Sequence, residues 1–153
     1  MGMFSIPLGD NIKVSLQLLI VFIIGLTAVS YIDTLVITSL YLALGFILPI
    51  FAGFQIGLSP TFGYIISFVI ISFPLYFINK IPKISPILRM ALACLISLII
   101  CYIIGSLFMM YYLSMSIEKV LLIAVLPYIP FDIAKIIVAV LTVKILPQKV
   151  KEL

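Results

Sequence analysis

Between Ile87 and Leu113 the chain carries a single charged side chain, Arg89, in an otherwise apolar run. A segment of that kind suits a lipid bilayer, which asks for about 17–25 apolar residues per spanning helix. The run has company. Val14 to Ser30, Thr34 to Phe51, Tyr64 to Ile78 and Phe131 to Leu146 are apolar stretches of near-spanning length. Hydrophobic residues make up 65% of the chain, charged residues 9%, and the mean hydropathy is +1.45. Soluble domains carry about 25% charged residues. The expectation is an all-α integral membrane protein, one domain over residues 1–153, built as a helical bundle. Its five spans fall at about 14–30, 34–51, 64–78, 87–113 and 131–146. Met1 to Lys13 has no basic n-region of a cleavable signal peptide.

Glycine and proline mark the breaks. Residues 52–63, AGFQIGLSPTFG, hold three glycines and a proline and read as an outer loop. NKIPKISP, residues 79–86, is a polar connector. Ile117 to Leu146 is too long for one straight span, and Pro127 and Pro130 divide it. Proline removes a backbone donor and clashes with the preceding turn. A short surface segment over 117–126 and a last helix from Phe131 are therefore expected. Tyr31 and Asp33 are expected to close the first helix.

Charge gives orientation. Six basic residues, Lys80, Lys83, Arg89, Lys144, Lys149 and Lys151, fall on one side of the membrane, and Lys13, Lys119 and Lys135 on the other. Cytoplasmic loops are the Lys/Arg-rich ones. That places the C-terminus in the cytoplasm, and loop 52–63 and the start of the last helix outside, in a multi-pass protein of the cell membrane. The same rule accounts for the net charge of +4 without nucleic acid.

Enzyme classes fall away on residue types. With no histidine there is no His-dependent triad. No paired carboxylates and no Walker-type glycine loop occur in the spans. Cys94 and Cys101, two turns apart on one helix at about 10 Å, are too distant for a disulfide, and the chain offers a poor ligand set for a metal. No catalytic residues, metal or cofactor are expected. Transport or ligand capture remains, and five helices are few for a complete alternating-access transporter.

The polar residues within the spans are the candidate site. Asp132 lies in the first turn of the last helix, where the dipole and free amides favour a carboxylate. Lys135, one turn deeper on the same face, meets the wrong end of that dipole. Ionisable groups inside a membrane mark functional sites by default, so a ligand site is favoured over a packing pair. Loop 52–63 either covers a cavity or is an ordinary connector, and Gln17 either bonds a neighbouring helix or a ligand. Ala93, Ser97, Cys101 and Gly105 form a stripe of small residues spaced by four, read as packing within the chain rather than a groove for a partner.

Three blocks, SIPLGDNIKVSLQLL (5–19), YLALGFILPIFAGFQIGLSPTFGYIISF (41–68) and VLPYIPFDIAKIIVAVL (125–141), resemble the BioY family of biotin-specific S components of energy-coupling factor (ECF) transporters. The resemblance covers nearly the whole chain. It implies a six-helix S-component fold, here without its first helix. It also implies capture of biotin from outside, with energy from a transmembrane T component and two cytoplasmic ATPase subunits. The family's D-x-x-K pair matches Asp132 and Lys135. Its loop signatures match Phe51, Ala52, Gly53, Pro60, Thr61, Gly63 and Tyr64, and its Gln matches Gln17. Tyr41, Phe51 and Tyr64 are expected to carry the bicyclic ring and chain of biotin. Phe54, Phe62 and Phe131 depart from the family by being bulky where it is small. The alternatives are an S component for another small vitamin or precursor, and a non-transport membrane assembly or structural protein.

Overall fold

The computed structural model describes residues 5–7, 13–51 and 56–146. Among these residues a two-stranded antiparallel pair, β1 (Ser5–Pro7) and β2 (Lys13–Ser15), precedes six helices. These are α1 (Gln17–Thr27), α2 (Tyr31–Leu44), α3 (Phe62–Asn79), α4 (Pro86–Leu113), α5 (Ile117–Ala124) and α6 (Ile129–Ile145). The fold is a helical membrane bundle. In chain order five of the helices correspond to the five expected spans and α5 to the surface segment.

Element ends differ from expectation for local reasons. Residues 13–15 pair with 5–7 as strands, so α1 starts at Gln17 and not at Val14. It stops at Thr27, after which Ala28 is extended. Ser30 then opens α2 through a capping box. The Ser30 hydroxyl accepts from the Ile32 amide at 3.2 Å, and the Asp33 carboxylate accepts from the Ser30 amide at 3.2 Å. Such a box satisfies two otherwise orphaned donors. Tyr31 and Asp33 therefore begin the second helix rather than close the first. The Tyr31 ring packs on Phe73 and Phe77 of α3. At its far end α2 stops at Leu44, well before Phe51, because the chain turns over Gly45 to Pro49. At 18 and 28 residues, α3 and α4 are long and apolar enough to span alone, and α5 with α6 passes as a pair bent by 54°. With 11 and 14 residues, α1 and α2 are shorter apolar helices.

Pro130 does not precede α6 but sits in its first turn. There the missing N–H costs nothing, since first-turn amides have no intrahelical partner.

The core runs along the α3–α4 seam, with α1 and α6 closing over it. Phe22, Phe51, Ile71 and Leu75 are fully buried. All four small residues of the α4 stripe are buried, with Ser97, Cys101 and Gly105 against α3. The Ser67 hydroxyl donates to Cys101 Sγ at 3.0 Å, and the Ser97 hydroxyl to the Ile71 carbonyl at 3.5 Å. The stripe thus serves packing inside the chain. Outward, Ile99, Ile103, Leu107, Ile137 and Leu141 are exposed. An apolar exterior on this scale suits hydrocarbon, not water.

Candidate functional site

A cavity of about 650 Å³ lies where the helix ends converge opposite the Lys80–Lys83–Arg89 connector. Its wall is assembled from most of the chain. The β2–α1 junction gives Ser15, Gln17 and Leu18. The start of α3 gives Thr61, Tyr64, Ile65 and Phe68, and the second half of α4 gives Cys101, Tyr102, Met109 and Leu113. α5 and the turn after it give Leu122, Ile123, Ala124, Pro127 and Tyr128, and α6 gives Asp132 and Lys135. The volume falls within the roughly 300–1,000 Å³ of small-molecule sites, and the make-up follows the same rule of apolar walls with few placed polar groups.

Asp132 and Lys135 form the polar centre. They are 5% and 8% exposed, and Lys135 Nζ donates to Asp132 Oδ1 at 2.6 Å. Their i, i+3 spacing puts both on one face of α6. The other carboxylate oxygen, Oδ2, accepts from the Tyr102 hydroxyl of α4 at 2.6 Å. A carboxylate has about four lone-pair positions and an ammonium three donors, so each group retains capacity toward the cavity. Among the described lining residues these two are the charged ones, and they cancel.

Gln17 lies 7% exposed at the start of α1. Its amide donates to the Tyr41 hydroxyl, which in turn donates to the Ile50 carbonyl at 3.0 Å. Tyr64 lines the cavity and packs on Gly105, where any side chain at 105 would collide with its ring. The Tyr64 hydroxyl is 3.5 Å from both the Ser106 hydroxyl and the Ala124 carbonyl.

Of the expected site residues, Asp132, Lys135, Gln17, Thr61 and Tyr64 meet at this cavity. Tyr41 does not line it. It faces a smaller cavity of about 260 Å³ between α1 and α2, which Gln17 also borders. Phe51 is fully buried behind the wall, edge-on to Tyr41 at 5.7 Å between ring centres. Gly63 is a packing position, since a side chain there would strike Phe108. Ala52 and Gly53, like Phe54, lie outside the described residues. Phe62 stays clear of the cavity, packed between Phe46, Phe51 and Phe108. Phe131 is half-buried and also off the wall. Tyr102 and Tyr128 also line the cavity, beyond the residues the sequence points to. Tyr102 carries a polar tip in an apolar helix, a mark that singles out the residue but not the face it presents.

The family model of the BioY family matches residues 1–152. A solved structure described as the S-component for biotin from an ECF-type ABC transporter superposes with a TM-score of 0.78. It covers 92% of this chain and 78% of its own, at 23% sequence identity. At that identity the likeness speaks to the fold. No curated protein matches the sequence.

Proposed function

The chain belongs to the BioY family, and on that premise we propose that it is the substrate-binding membrane subunit that captures biotin for an ECF-type transporter. The observation that carries this reading is the buried Asp132–Lys135 pair at a cavity of about 650 Å³. The ureido edge of biotin offers an N–H beside a carbonyl. Asp132 accepts from the N–H, and Lys135, with donors to spare beyond its bond to Asp132, donates to the carbonyl. Because the pair is neutral as a whole, it matches an uncharged edge better than it matches the ligand's carboxylate. The apolar body of the ligand rests against Leu18, Phe68, Tyr64 and Met109, while Thr61 and Gln17 add polar contacts. Ala52 and Gly53 are proposed as ligand contacts on the family's loop signature, with the buried Phe51 preceding them.

Orientation follows from charge. Lys80, Lys83, Arg89 and Lys144 lie at the end away from the cavity, and the excess of Lys/Arg marks the cytoplasmic side. The cavity then faces outward and the C-terminus inward. Motion is supplied by a T component and two ATPase subunits, since the sequence holds no Walker-type nucleotide loop.

The test is thermal unfolding in detergent with and without biotin. A ligand that binds only the folded state raises the midpoint, by an amount that grows with concentration above the Kd. Asp132→Asn and Lys135→Ala are expected to weaken biotin binding strongly, so that the same shift needs a far higher biotin concentration. An unchanged shift in both variants rules the site out, and displacement of labelled biotin by another vitamin reassigns the ligand.

A further inference from the structure

We infer that Tyr102 is a positioning residue for the ligand, acting through Asp132: its hydroxyl fixes the plane of the carboxylate so that the remaining lone pairs face the cavity. The inference rests on the reading of Asp132 as the ligand's acceptor. Its basis is the division of the carboxylate between two helices. Lys135 holds Oδ1 from α6 itself, whereas Tyr102 holds Oδ2 from α4, both at 2.6 Å. The terminal torsion of an aspartate is broad. A single bond from the same helix leaves the carboxylate able to turn about it, and a second bond from a separate helix removes that freedom. Hydrogen bonds to ionised groups are the short and strong ones.

The arrangement also selects. With Oδ1 and Oδ2 each held by a donor, the carboxylate of Asp132 offers the cavity acceptor positions only. It welcomes a ligand edge that brings an N–H and rejects one that brings only acceptors. Tyr102 is half-buried and borders the cavity, so its hydroxyl acts at the site rather than in the core.

The experiment is a double-mutant cycle on the full chain in detergent, read by biotin affinity. Tyr102→Phe keeps the ring and removes the hydroxyl. It is expected to weaken biotin about tenfold or more, the scale of a hydrogen bond to a charged group. In an Asp132→Asn background the same change is expected to cost less than about threefold, because there is no ionised carboxylate left to hold. Equal losses in both backgrounds, or no loss in the first, overturn the role of Tyr102 while leaving Asp132 in place. Unimpaired binding by Asp132→Asn alone overturns the underlying reading instead. Infrared spectroscopy gives an independent readout. The carboxylate band that disappears in Asp132→Asn is expected to shift in Tyr102→Phe. Should that variant fail to fold, 3-fluorotyrosine at 102 is expected to shift the same band, and a band that stays still overturns the proposal.

Discussion

The Phe51 ring occupies the space in which a side chain on Gly45 would have to sit. Gly45 ends α2, and its carbonyl accepts from the Gly57 amide at 2.9 Å. Phe51 is fully buried and touches both Tyr41 and Phe62. One close approach therefore pins both ends of the segment between α2 and α3.

Gly45→Ala is expected to push the Phe51 ring out of its seat. Overpacking of a filled site costs about 1–3 kcal/mol. The midpoint of thermal unfolding should fall accordingly, and on the proposed function biotin should bind more weakly, because Phe51 holds the turn that ends α2 and packs on Phe62 at the start of α3. A variant that unfolds at the parent temperature would show that Phe51 has room to move aside.

For the ion pair, one charge removed alone is worse than both removed. Lys135→Met leaves Asp132 buried with only Tyr102 as partner, and breaking such a pair costs about 3–5 kcal/mol. Asp132→Leu combined with Lys135→Met removes both charges and should recover part of that stability in the same unfolding assay. Recovery stays incomplete because the Tyr102 hydroxyl is left without its acceptor. Neither variant is expected to bind biotin. Stability and binding thus separate in one pair of measurements.

Gln17 and Tyr41 should differ in binding. Gln17 borders the main cavity, and Tyr41 reaches it only through Gln17. Gln17→Leu is expected to weaken biotin about tenfold, the scale of one lost hydrogen bond at a buried site. Tyr41→Phe is expected to have an effect of only a few-fold, measured by the same affinity titration. A larger loss at Tyr41 would place it against the ligand.

The Ser30 cap lies at the end of the bundle away from the cavity. Ser30→Ala should lower stability by about 1 kcal/mol through loss of the cap, with biotin affinity unchanged. Weakened binding would reveal coupling along α2.

Asp132 and Lys135 were legible because their relation is local: three residues on a helix fix which face they share. The proline break was legible for the same reason. Tyr102 was not, because its partner lies 30 residues on, in a helix whose rotation no local pattern states. Tyr41 and Phe51 are aromatic residues expected at the ligand, but whether they reach the main cavity depends on how α2 and the turn after it pack, which no local pattern states. The late start of α1 and the early end of α2 have their own causes. β1 claims residues that hydropathy assigns to a helix, and the turn after Gly45 ends α2 ahead of the more visible Pro49.

The mutual cancellation of Asp132 and Lys135 bears on voltage. A lone elementary charge carried across a membrane potential changes free energy by about 2.3 kcal/mol per 100 mV. Two opposite charges 2.6 Å apart, moving together, sense almost none of that field. Tilting or reorientation of this subunit in an energised membrane is therefore electrically silent as far as the pair is concerned. Any voltage dependence of uptake would have to enter with the cargo's own carboxylate or with charges elsewhere in the chain.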